Sequence, residues 1–203
     1  MRASLVTGFD RGAALREWSS LYARAEPNFF QSPPFISAWL AAAGDRVRLL
    51  RVDQDGAPAA LAFIGVAGRE ARFGETGRAD FDRLYVEYQD FLLAPGAGDA
   101  ARDAAIDALI DSAPTVSEFV VRNARPALAG AFARAAERRG LVRRMLGTQP
   151  TFAVDLSQTD DAAFSASLRA KVRRSLRRYE ERGPVRLTAA AASADRAAAF
   201  RDL

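Results

Sequence analysis

The apolar positions of this chain change period several times, and each change predicts an element. Leu5 to Thr7 reads as a short first strand. Over residues 11–25, Leu15, Trp18, Leu21 and Tyr22 recur at helical spacing, which predicts an amphipathic helix broken by Pro27-Asn28. Ser32 then stands as an N-cap before Pro33, a residue tolerated in a first helical turn because its missing N–H has no partner there. Phe35, Trp39 and Leu40 face inward on this second helix, and Gly44 ends it. Val47 to Val52 leads into Asp55-Gly56, a strong hairpin dipeptide, and Leu61 to Val66 returns as a buried strand.

Residues 67–84 are rich in Gly and charge and read as loop, with a short strand at Ala71-Arg72-Phe73. Leu84 to Leu93 carries the branched and aromatic content of a central strand. After the turn Ala94 to Gly98, Asp99 is expected to cap a helix through Ile110. Ser117 to Val121 predicts a strand, Pro126 to Arg139 a helix stopped by Gly140, and Leu141–Leu146 and Thr151–Leu156 two more strands. Hairpins early and strand–helix alternation late predict an α/β fold with a mixed sheet.

Beyond Leu156 a helix begins at Asp160 or Asp161, with an apolar stripe of Phe164, Leu168, Val172, Leu176 and Tyr179. Gly183-Pro184 ends it, Val185 to Thr188 predicts a strand, and a further helix opens at Ala189 and is cut at Leu203. The domain expectation is therefore 1–156, a basic linking helix over 157–183, and the start of a second domain at 184–203.

Composition narrows the chemistry. Apolar residues make up 49% and charged residues 27% of 203, as in globular proteins. There is no Cys and no His, which excludes disulfides, thiolate metal sites, a cysteine nucleophile, the Ser-His-Asp triad and any imidazole base. No apolar run is long enough for a membrane span, and the N-terminus lacks a signal peptide's apolar core, so a cytoplasmic location is expected. The net charge of +4 is concentrated. Arg169, Lys171, Arg173, Arg174, Arg177, Arg178 and Arg182 face only Glu180 and Glu181.

Three segments resemble one family. Phe30-Gln31-Ser32-Pro33 with Trp39 is similar to the FQSPxWxxAW opening of the CelD/BcsL-like acetyltransferases of the GNAT superfamily. Glu87 to Leu92 is similar to that family's SEYxDFL strand, and Ser167 to Arg178 to its SxKxRRxLRR helix. Lys171, Arg173, Leu176, Arg177 and Gly183 also resemble a helix of the Fem-type aminoacyl transferases. The resemblance implies a GNAT-like fold, repeated in tandem, with acyl-CoA as co-substrate and no metal. It implies acyl transfer to an amine or hydroxyl of an anionic, envelope- or polysaccharide-related substrate. The family's Q/R-x-x-G-x-G/A pyrophosphate loop is replaced here by Ala94-Pro95-Gly96-Ala97-Gly98-Asp99, where Asp99 places negative charge against an anion. CoA is therefore expected on the second domain, and this chain alone is expected to be inactive.

The candidate catalytic residues are Glu87 and Asp90, on opposite faces of the expected strand, either of which could act as the base that deprotonates an attacking amine. The candidate substrate-binding residues are Gln31, Tyr88, Lys171, Arg173, Arg174 and Arg177. Local hydrogen bonding for Gln31 and backbone or Arg pairing for the two carboxylates are the structural alternatives. Two other functions stand beside acyl transfer. One is a nucleic-acid module built on the Arg helix, with tRNA as its best case; the other is a degenerate docking domain. The basic stretch holds one aromatic, Tyr179, and that residue lies on the apolar stripe, which counts against base stacking.

Overall fold

A computed structural model describes residues 1–82, 86–151 and 164–186. They separate into two compact units, Met1–Met145 and Leu146–Leu203. In the first, the order is β1 (Arg2–Val6), α1 (Arg11–Tyr22), α2 (Pro33–Ala43), β2 (Val47–Gln54), β3 (Ala57–Ala67), β4 (Glu70–Phe73), β5 (Leu92–Leu93), α3 (Gly98–Ser112), β6 (Glu118–Val120) and α4 (Pro126–Arg139). In the second, α5 spans Ala166–Glu180. The first unit is a mixed α/β structure around a six-stranded sheet of order β1-β2-β3-β4-β6, with β5 also on β3. All the pairings are antiparallel except β4 with β6.

The local rules hold through the first hairpin. The Asp10 carboxylate caps α1 by accepting from the Gly12 and Ala13 N–H groups at 2.8 and 3.1 Å. Asp55 and Gly56 both take positive φ, 53° and 80°, the turn that matches strand twist. Gly44, at φ 67°, ends α2, and left-handed Gly140 ends α4. Strand β3 reads as an unbroken apolar run because both of its faces are buried. Ala60, Ala62 and Ile64 join a core beneath α3 and α4, while Leu61 and Phe63 join a second core beneath α1 and α2. The first unit is thus three layers, helix pair on sheet on helix pair.

Three expectations fail. No strand runs through the described part of 84–93, residues 86–93, except Leu92–Leu93; Leu84 and Tyr85 lie outside the described residues. Tyr88 takes φ 55°, and Asp90 uses its carboxylate to accept from the Phe91 N–H at 2.8 Å, so both leave the extended ladder. Asp99 does not cap α3. The cap position is Ala97, and Asp99 stands inside the first turn, paired with Arg102 at 3.0 Å and Arg134 at 3.5 Å. Leu141–Leu146 forms no strand and is exposed, Val142 to 99%. A strand needs a neighbour to take its backbone bonds, and none of the sheet pairings involves this stretch. The expected strand at Thr151–Leu156 (after Thr151) and the helix from Ala189 lie outside the described residues, as do Asp160 and Asp161. The basic helix expected to start there begins at Ala166, because the Ser165 side chain accepts from the Leu168 N–H and caps it, leaving Phe164 outside. Of Val185–Thr188, residues 185 and 186 are described and carry no strand.

The strand geometry places the site. Strand β4 follows the edge of β3 to Phe73 opposite Ile64, and the Gly74 N–H donates to the Phe63 carbonyl at 2.9 Å. Strand β5 resumes on the same edge with Leu92 opposite Leu61. The described residues of 75–91 leave the sheet between these points. This excursion is fastened at its start: Thr76 N–H, Thr76 Oγ1 and Gly77 N–H all donate to Asp82, at 2.7–2.9 Å. Its return is fastened to the segment after β6. The Gln89 N–H donates to the Asn123 carbonyl at 2.9 Å and the Arg125 N–H to the Gln89 carbonyl at 3.0 Å.

Candidate functional site

Where the excursion returns, a pocket opens with about 470 Å³ of empty space, counting the part open to solvent. One wall is the start of α2 and the turn before it, with Asn28, Phe30, Gln31, Phe35, Ile36 and Trp39. The opposite wall is Val86 to Asp90. Trp18, Ala62, Phe63, Phe73 and Gly74 form the floor. The aromatic rings interlock: Trp18 stacks on Phe63 at 5.0 Å between centroids, and Phe30 meets Phe35 edge-on at 5.3 Å.

Four of the sequence-predicted site residues meet here: Gln31, Glu87, Tyr88 and Asp90. Gln31 is buried and both ends of its amide are used. Its Nε2 donates to the Asp90 carbonyl at 3.1 Å, its Oε1 accepts from the Asn28 N–H at 3.1 Å, and its own carbonyl accepts from Trp18 Nε1 at 2.7 Å. Gln31 therefore ties the two walls together. The Tyr88 carbonyl accepts from Asn28 Nδ2 at 2.9 Å, a second tie.

The two carboxylates sit differently. Asp90 receives Arg102 of α3 through Nε at 2.9 Å and Nη2 at 2.7 Å, a bidentate pair, with its side chain only 5% exposed. The hydrogen bond to Asp90 is the foremost cause that raises the Arg102 guanidinium above its ordinary value, against the lowering effect of its own burial. Glu87 is half-buried and pairs with none of the described residues. Two further polar atoms of the lining are buried and unpartnered: Asn28 Oδ1 and Gln89 Oε1. Sequence reasoning passed over both, since neither residue type carries a signal without its neighbours. Among the described residues no Lys or Arg lines the pocket.

Lys171, Arg173, Arg174 and Arg177 are on α5, in the second unit, where none of the described residues of that helix is buried. Its apolar stripe is exposed at Leu168, Val172, Leu176 and Tyr179, as is Phe164 just before the helix.

The start of α3 does not suit a pyrophosphate. The Asp99 carboxylate occupies the first turn and sets negative charge where the phosphates would lie. Among the described residues no cluster of His, Cys, Asp and Glu could hold a metal ion, and no helix is long and apolar enough to cross a membrane.

No protein-family model and no curated protein matches the chain by sequence. Several solved structures are similar in fold. The ribosomal-protein-S18-alanine N-acetyltransferase from Escherichia coli is 16% identical, covering 66% of this chain and 76% of its own, with a TM-score of 0.46. The ribosomal-protein-alanine N-acetyltransferase from Brucella melitensis biovar Abortus 2308 is 14% identical, covering 75% and 99%, with a TM-score of 0.44. The aminoglycoside 6'-N-acetyltransferase from Acinetobacter haemolyticus is 14% identical, covering 77% and 99%, with a TM-score of 0.35. Likenesses of this size place no side chain of the pocket.

Proposed function

We propose that this chain is the acceptor-binding part of an acyl-CoA-dependent N-acyltransferase of the GNAT type, in the CelD/BcsL-like branch. One observation carries the reading. The segments that resemble that branch, Phe30–Trp39 and Glu87–Leu92, are far apart in sequence and form facing walls of one pocket. The sheet supports it, turning from antiparallel pairs to a parallel β4–β6 pair beside that pocket.

The lining dictates what enters. The Glu87 carboxylate, which pairs with none of the described residues, and the unpartnered amide oxygens of Asn28 and Gln89 lie among aromatic side chains, so the pocket suits a hydrogen-bond-donating amine on an uncharged or cationic body. Glu87 is the carboxylate positioned to take the amine proton as nitrogen attacks the acyl carbonyl. Asp90, held by Arg102, keeps the wall in place, with Gln31 and Tyr88 as its ties. The anionic part of an envelope- or polysaccharide-related acceptor would remain outside. Acyl-CoA binds elsewhere than on this chain, because the Asp99 carboxylate in the first turn of α3 opposes its phosphates.

The two tryptophans, Trp18 and Trp39, both line the pocket and report on it. Titration with primary amines should change their fluorescence saturably, isosteric alcohols should act weakly, and Glu87→Gln should remove the amine preference. Calorimetric titration with CoA should show no micromolar binding. An unresponsive fluorescence signal would sink the acceptor reading; micromolar CoA binding would sink the division of labour.

A further inference from the structure

The proposed acceptor site makes no use of α5. Its stripe is exposed in water, Val172 to 50% and Tyr179 to 61%, on a helix that carries most of the chain's excess positive charge. At about 100° per residue, Leu168, Val172, Leu176 and Tyr179 fall in one sector about 80° wide, and Phe164 stands just before the Ser165 cap. Arg169 and Arg173 lie on one side of that sector and Lys171 on the other, about 60–100° from its centre. Arg174, Arg177 and Arg178 lie behind, about 120–160° from it.

We propose that α5 lies flat on an anionic lipid surface, its stripe at the boundary between headgroups and acyl chains and its bordering cations on lipid phosphates. The inference is independent of the acyl-transfer reading. It follows from the joint arrangement of stripe and charge. A basic amphipathic helix with low overall hydrophobicity is the form that sits in a membrane interface. Long Lys and Arg stems at the borders reach up to phosphate while their methylenes stay on apolar ground. Tyr179 puts an apolar ring and a hydroxyl at one end of the stripe, as interfacial aromatics do. The helix is only about 10 Å across, close to the screening length of about 8 Å at physiological salt, so even the far-side Arg residues feel an anionic surface. A nucleic acid would engage the same charges and leave the five apolar side chains in water. A protein groove would cover the stripe and leave the charges behind it unmatched.

Co-sedimentation of the whole chain with phosphatidylglycerol–phosphatidylcholine vesicles tests this. Binding is expected, should be absent with pure phosphatidylcholine, and should fall steeply as salt rises. Val172→Glu with Leu176→Glu should abolish it. Lys171→Gln with Arg173→Gln should weaken it by roughly fivefold per charge removed. Neither double variant should alter the tryptophan fluorescence of the first unit, which controls for folding. No binding to the anionic vesicles, equal binding to neutral ones, or unchanged binding by the Glu variant would each overturn the proposal. So would tighter binding to a single-stranded RNA oligonucleotide than to the vesicles.

Discussion

Asp90 and Glu87 stand three residues apart on one wall, and their surroundings give them different work. Asp90 is enclosed and paired with Arg102, whose side chain is 12% exposed. Removing one partner of such a pair leaves a charge without compensation, at a cost of about 3–5 kcal/mol. Asp90→Asn should therefore lower stability by about 3 kcal/mol in urea unfolding, the lower end because Asp99 also holds Arg102. Glu87→Gln should change it by less than about 0.5 kcal/mol, because no described residue pairs with that carboxylate. Gly65 marks a different constraint. A Cβ there would fall 2.0 Å from the Glu75 carbonyl oxygen and 2.8 Å from the Thr76 Cα, both backbone. Gly65→Ala must push the start of the excursion off β3, and a loss of at least about 2 kcal/mol is expected in the same measurement.

Between α3 and α4 the chain builds a ladder of charge. Asp99, Asp103, Asp107 and Asp111 recur every fourth residue along one flank of α3, and Arg134, Arg138 and Arg139 answer from α4. The hydrogen bond from Arg139 holds the Asp111 carboxyl below its ordinary value of 3.8, and Arg78 does the same for Asp80. A carboxyl depressed in the folded state adds stability above its unfolded pKa and loses it as pH falls through the folded one. The melting temperature should thus hold steady from neutral pH to about 5 and fall below about 4. Arg139→Gln should reduce that fall, while a fall identical to that of the parent would show that the Asp111 pair plays no part. Exposed pairs of this kind are screened, so the melting temperature at neutral pH should drop only slightly with added salt.

At the scale of the whole molecule, the two units meet at Met145 and Leu146 within a stretch, 141–150, that is exposed throughout and carries neither helix nor strand. Arg143 and Arg144 lie in it. Backbone outside regular structure and open to solvent is where proteases enter. Brief trypsin treatment should cut first after Arg143 or Arg144 and leave the first unit intact, read by mass spectrometry. First cuts within α3 or α4, whose Arg residues are held by the ladder, would show that the division lies elsewhere.

Much of this was determined by the sequence itself, because the physics involved is local. Asp55-Gly56 makes its turn without help from afar, Gly44 and Gly140 end their helices, and the unbroken apolar run at Leu61–Val66 can only be a segment covered on both sides. The four aspartates of the ladder were equally legible at every fourth position, though their partners on α4 were not. The site was half legible: its two motifs and four of its residues could be singled out, but not that they face one another. Only tertiary structure decided that β4 breaks off at Phe73 and that the described residues of 75–91 leave the sheet before β5. The aromatic content of Leu84–Leu93 argued for a strand, yet Asp90 found Arg102 and Gln89 found the backbone after β6. Those bonds join residues distant in sequence, and the same side chains that promise a strand when read along the chain will line a pocket when such bonds compete successfully with the ladder. The division between Asp90 and Glu87 was settled there too, since a carboxylate's role depends on which cation the fold brings within about 3 Å.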